Sequence, residues 1–298
     1  MRPLDCPSGA LSPRRKPPRL VPTLREGGVQ NMNYPARLDS PNATDIISDD
    51  EVTLSLQYST HWDSLAHVGQ RFDIQGDGQL RDVYYNGFLA GRDILGPTAY
   101  NNGDATVRPE DSGARHLDVQ TIALSCVQTR GVMVDLDAHF GRTGKVIGYS
   151  ELRHVLDADR VIVEDGDILC LHTGFARMLL EMGDDVDRER LFNTNSALDG
   201  RDTALHDWIT DCGVAAIAAD NFSVEAFPAQ VASMQCCAKL PLHEHCLFRL
   251  GIPLGELWYL SELADWLRTN QRSRFMLTAP PLRLPRAVGS PATPIATV

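Results

Sequence analysis

Short runs dense in Val, Ile and Leu recur at residues 121–127, 131–136, 167–172 and 214–219, each of strand length and without the alternation of a half-exposed strand. Strands of this kind need apolar cover on both faces, which helices packed against a sheet supply. Helical spacing falls between and after them, at 150–156, at 203–210 with Gly213 as a stop, and at 260–269. The alternation predicts an α/β fold: a single compact domain with a mixed β-sheet flanked by helices. A chain of 298 residues, 43% hydrophobic and 22% charged, can build such a core.

Residues 1–45 are rich in Pro, Asn, Asp and Arg and keep no period, so they are expected to form an extended N-terminal arm, laid over the surface or onto a neighbouring subunit, with the catalytic domain occupying 46–298. The arm carries the chain's one basic cluster, Arg14, Arg15 and Lys16 before Pro17 and Pro18, which fits a mobile segment. Stretches 76–86 and 100–115, dense in Gly, Asn and Asp, are expected to be surface loops. A formal net charge of -11 gives no basic field for phosphate backbones or anionic lipid, so neither nucleic acid nor membrane is an expected partner. No apolar run reaches signal-peptide or membrane-spanning length, and a cytoplasmic location is the expectation. Seven scattered cysteines with no C-x-x-C pair fit reduced, packed thiols.

The densest group of potential ligands is the segment from Gln57 to His67, directly after the alternating run 52–56. Were that strand to continue through Asp63, residues 57, 59, 61 and 63 would share a face, and His61 and Asp63 would point the same way. On a helix the two would stand about 200° apart, so their spacing favours a strand. His67 lies too far along an extended chain, as six residues cover roughly 20 Å. A turn or helix start at Asp63-Ser64 returns it over the site at i to i+4 from Asp63. Imidazole with carboxylate suits zinc or manganese, and a further imidazole beside the ion can take a proton from water. Two surface histidines beside an N-cap aspartate would give the same short pattern.

A second cluster, Leu242-His243-Glu244-His245-Cys246, precedes Glu256 by thirteen residues, and only one of its two histidines is expected to face inward. His245 and Cys246 suit packing or exposure. Asp220 and Glu225 follow the buried run 214–219 as functional or merely solvated acids. His139 and His172 fit structural histidines, and Cys170 lacks a neighbouring base in sequence. Serine-hydrolase elbows, Walker loops, His-Glu-x-x-His and a complete Gly-x-Gly-x-x-Gly are absent; after Gly76-Asp77-Gly78, Arg81 stands where a third Gly is required.

The stretch Gln57-Tyr58-Ser59-Thr60-His61-Trp62-Asp63-Ser64-Leu65-Ala66-His67 resembles the signature His-x-Gly-Thr-His-x-Asp-x-x-x-His of the cyclase family, which includes kynurenine formamidase, isatin hydrolase and dienelactone-hydrolysing members. Further blocks look like family blocks in family order: Tyr85-Asn86-Gly87, Arg130 to Asp135, Gly166-Asp167-Ile168 through Gly174, Asp220 to Glu225, Leu242-His243 through Trp258, and the tail from Thr278. The resemblance covers residue 45 to the carboxyl terminus.

The resemblance implies a compact α/β domain binding one or two zinc or manganese ions. Carried over by position, His61, Asp63, His243 and Glu256 are metal ligands and His67 is the general acid/base. It further implies small cyclic or acyl amides, imides or lactones as substrates, and association as a homodimer or homotetramer. Here Gln57 replaces the first signature His and Ser59 replaces the Gly. An amide oxygen at Gln57 is a weaker ligand than imidazole, so it binds weakly, favours a harder ion such as manganese, or leaves a metal position empty. Trp62, Tyr58, Phe222 and Trp258 are candidates to line an aromatic substrate pocket, and equally to pack in the core.

Overall fold

The structure, a computed structural model, describes residues 11–98, 109–231 and 237–298. Most of the expected loop 100–115, the first ten residues of the arm, and residues 232–236 lie outside the described residues. Eight strands build the main sheet: β1 (His61–Asp63), β2 (Gln128–Asp135), β3 (Ile168–His172), β4 (Ala216–Ala219), β5 (Leu254–Glu256), β6 (Arg274–Thr278), β7 (Gly289–Pro291) and β8 (Ile295–Thr297). Their spatial order is β7-β1-β5-β4-β3-β2-β6-β8. The inner four, β5, β4, β3 and β2, are parallel, and antiparallel strands flank them on both sides, so the sheet is mixed.

Side chains of the inner strands divide between two apolar layers. Val132, Val134, Leu169, Leu171, Ile217 and Leu254 pack on one face against helices α2 (Tyr149–Ala158) and α4 (Thr203–Cys212), which follow α1 (Val119–Ser125) and α3 (Phe175–Met182) in chain order. Met133, Ile168, Cys170, Ala216 and Ala218 pack on the other face with Trp62, Trp258 and residues of α6 (Ser261–Thr269), which comes after the short α5 (Pro241–His243). Each fully buried Val, Leu or Ile contributes about 1.5–3 kcal/mol to this arrangement. Helix α4 starts where Asp202 accepts from Ala204 and Leu205 amides, and it stops at Gly213, whose φ of 68° suits glycine.

Two expected strands are corrected. The run at 121–127 lies largely in helix α1, with only Val119 fully buried and Leu124 exposed. Lacking sheet neighbours, a short apolar run carries no periodic signal that separates helix from strand. The run at 52–56 does not lead into β1: Asp50–Thr53 pairs instead with Arg19–Pro22 in a separate exposed ribbon, and turns carry the chain from there to His61. That pairing holds the N-terminal segment against the domain, helped by Leu11, buried against Tyr58, Phe175 and Leu257, and by the Lys16 amide donating to Ser55 Oγ at 2.9 Å. Among the described residues no helix is long and apolar enough to cross a membrane.

Candidate metal centre

Register builds the centre. On the antiparallel pair β1 and β5, His61 stands opposite Glu256 and Asp63 opposite Leu254, which puts His61, Asp63 and Glu256 on one face. One potential ligand atom from each lies within 4.8 Å of the others. His61 Nε2 is 3.2 Å from Glu256 Oε2 and 3.7 Å from Asp63 Oδ1, and all three residues are buried. His61 Nδ1 donates to the Ser59 carbonyl at 2.6 Å, which leaves an Nε2 lone pair facing two carboxylates. Buried His61 Nε2 and both Asp63 oxygens lack a hydrogen-bond partner. Such orphaned groups cost about 1–3 kcal/mol each, more when charged. Three inward-facing electron-pair donors are what a divalent cation satisfies, and one imidazole with two carboxylates fits zinc or manganese chemistry.

His67 reaches the centre by the expected turn: its amide donates to Ser64 O at 3.0 Å, and its Nε2 lies 3.8 Å from Asp63 Oδ2. Burial pushes the His67 pKa down, outweighing the attraction of Asp63. The Gln57 side-chain amide lies 3.4 Å from His67 Nδ1. Gln57 thus braces His67, and its packing room depends on Gly289, where a Cβ would come within 2.7 Å of the Gln57 amide nitrogen.

His243 stands outside the trio. Its Nδ1 meets Glu225 Oε1 at 2.8 Å and its Nε2 meets Glu256 Oε1 at 3.0 Å. Burial disfavours its charge, yet the two carboxylates prevail and raise its pKa to about 10. The imidazoles of His243 and His61 likewise overcome burial to hold the Glu256 carboxyl far below the usual range. His243 can join a metal shell only by giving up its Glu256 hydrogen bond. Glu225, weighed only lightly from sequence, is the residue that positions His243. It is buried, accepts from the Leu242 and His243 amides at the start of α5, and so fixes His243 through both backbone and ring. Glycine at 200 makes room for it, since a Cβ there would come within 2.0 Å of Glu225 Oε2. Its signal was an acid shortly after a buried strand, 18 residues before His243.

The aromatic candidates separate. Trp62 and Trp258 meet edge to face, 4.8 Å between ring centroids, inside the core on the sheet face opposite His61. Their exposures of 1% and 0% leave no side open to a substrate, so the pocket expectation is corrected for both. Trp62 donates to Ala279 O and Trp258 to His61 O, which makes them supports of β1 from behind. Tyr58 is buried in the cluster with Leu11 and Phe175. Phe222 lines a cavity of about 290 Å³ together with Phe175, Phe192, Phe227 and Glu225. Glu225 thus lines that cavity and also holds His243.

The remaining candidates are structural. His172 sits between Asp135 and Ser261, His139 pairs with Asp159, and His245 stacks on His206. Buried Asp220 accepts from the Thr173 and Gly174 amides. Burial pushes the Cys170 thiol up to about 12, which removes it as a nucleophile.

The family model described as Cyclase matches residues 15–226. The chain therefore belongs to the cyclase family. A crystal structure described as a novel cyclase is 28% identical, with a TM-score of 0.70, over 100% of this chain and 85% of that one. Isatin hydrolase A from Labrenzia aggregata, bound to benzyl benzoate, shares the fold at 11% identity and a TM-score of 0.59, over 99% and 90% of the two chains. Isatin hydrolase A from Ralstonia solanacearum does so at 13% and 0.55, over 95% and 82%. No curated protein matches the sequence.

Proposed function

We propose that the protein is a metal-dependent hydrolase that cleaves the C–N bond of a small amide or imide, or the C–O bond of a lactone. The observation that carries this reading is the buried, unpartnered set formed by His61 Nε2 and the Asp63 oxygens beside Glu256. His61, Asp63 and Glu256 would hold a zinc or manganese ion, which when bound polarises a carbonyl and makes water more acidic. His243 or Gln57 would complete the shell. The chain's own residues supply the rest. His67, kept neutral at physiological pH by burial, accepts a proton from the attacking water at Nε2 and returns it to the leaving nitrogen or oxygen. Gln57, whose side-chain amide lies 3.4 Å from His67 Nδ1, would hold the ring in place beside Asp63. Buried Glu225 keeps His243 oriented beside Glu256.

Elemental analysis of purified protein beside His61→Ala tests the reading. About one or two equivalents of zinc or manganese per chain are expected, the range set by the donor set, with loss in the variant. Turnover of a panel of formanilides and lactones should appear only in loaded protein. A wild type that stays empty when supplied with both ions would overturn the metal centre.

A further inference from the structure

The N-terminal segment brings a guanidinium to the mouth of the centre. Arg15 Nη1 donates to the Gln57 carbonyl at 3.0 Å and stands 3.8 Å from Glu256 Oε2, while its guanidinium carbon lies 5.1 Å from the Phe222 ring centroid. Its side chain is 22% exposed, so part of it still meets solvent. Among the described residues Arg15 is the one Lys or Arg within ion-pair distance of Asp63, Glu225 or Glu256. The placement is built on both sides. Leu11 is buried four residues before it, Lys16 is tied to Ser55, and Arg19–Pro22 pairs with Asp50–Thr53 just after.

A charge with so many tethers is held for a purpose other than screening Glu256, which already has His243 at 3.0 Å. Phe222 presents an apolar plane with the Arg15 guanidinium over it, and the same side chain lines the aromatic cavity. A planar fork stacked on an aromatic face is well suited to a carboxylate attached to a flat ring. We infer that Arg15 is a substrate-binding residue that selects aromatic or cyclic carbonyl compounds carrying a carboxylate, and that the N-terminal segment is thereby part of the active site. This deepens the hydrolase reading and rests on it for the word substrate.

The test is calorimetric binding of benzoate and of its neutral isostere benzamide to metal-loaded wild type, Arg15→Ala and Arg15→Lys. Benzoate affinity should fall roughly tenfold or more in Arg15→Ala, the scale of a charge-assisted hydrogen bond. Benzamide affinity should stay unchanged, and Arg15→Lys should recover part of the loss. Equal effects on both probes would mark Arg15 as a structural prop and overturn the inference, as would benzoate binding that ignores the substitution or is absent from wild type. Melting curves of the three proteins check that each is folded. Turnover of the formanilide and lactone panel runs separately: no turnover with Arg15-dependent benzoate binding would sink the hydrolase reading alone, whereas turnover with Arg15-independent binding would sink this one alone.

Discussion

Two buried histidine-carboxylate arrangements sit at strand ends on the same sheet, and they are built to different rules. At the end of β3, His172 gives one nitrogen to Asp135 at 2.7 Å and the other to Ser261 at 3.1 Å, while Arg268 pairs with the remaining Asp135 oxygen. Every polar atom there has a partner, as in most protein interiors. On β1, His61 has its Nδ1 satisfied, but Nε2 and both oxygens of Asp63 point at one another without a donor between them. Burial and carboxylate proximity are common to both places, so neither feature alone marks a metal site. What sets β1 apart is that its unsatisfied atoms cluster with Glu256, with potential ligand atoms of the three residues within 4.8 Å of one another.

The comparison breaks most visibly under substitution of each histidine. His61→Ala should lose the metal and lower kcat/KM by roughly a thousandfold or more, because a bound ion supplies several kcal/mol of transition-state stabilisation. His172→Asn should keep its metal equivalents and lose about 1–3 kcal/mol of stability through the broken network. Elemental analysis and denaturant melts read the two outcomes side by side. Metal loss in the His172 variant would show the two arrangements to be one.

Next in size is His67→Ala, expected to retain metal while kcat falls about 10²–10⁴-fold, the range for a general base. Burial lowers the His67 pKa, and the neutral ring is the active form. Activity should therefore persist as pH drops through about 6.5, the ordinary histidine value, and fail only below it. A kcat/KM profile whose acid limb lies above that value would remove His67 as the base. Glu225→Gln should have a smaller effect, a loss of about 10–100-fold in metal affinity or turnover, since it disturbs the orientation of His243 and leaves His61, Asp63 and Glu256 in place.

The closed arrangement and the open one were unequally legible in the sequence. Strands β2, β3 and β4 and helices α2, α4 and α6 follow from apolar runs and caps, because burial on both faces leaves a strong compositional mark. His61 and Asp63 were readable as a same-face pair by period two. The same alternation puts Trp62 on the opposite face, so its core position was available from spacing. Trp258 was not: extended spacing from Glu256 would bring it onto the ligand face, and only the positive φ of Leu257, at 56°, turns it away. Arg15 lay beyond reach for a related reason. Its place depends on the pairing of Arg19–Pro22 with Asp50–Thr53, a register decided across the intervening residues 23–49.

The smallest effect tests the open arrangement from the side of stability. In protein stripped with a chelator, His243 is held between Glu225 and Glu256 with its pKa raised to about 10. A group whose folded pKa exceeds its unfolded value of about 6.5 contributes stability that is complete below that pH and lost as pH rises through the folded value. The metal-free protein should therefore melt at progressively lower temperature from pH 6.5 toward 10, by on the order of a few degrees for a chain of this size. His172, also raised, adds a loss of the same sign, so His243→Asn should flatten the slope without abolishing it. Metal-loaded protein should show the opposite trend across neutral pH, because ligands bind an ion only when deprotonated and bound ion stabilises the fold. Parallel slopes with and without metal would mean that His243 and Glu256 do not share their proton with the ion's site, and the open arrangement would then need another occupant.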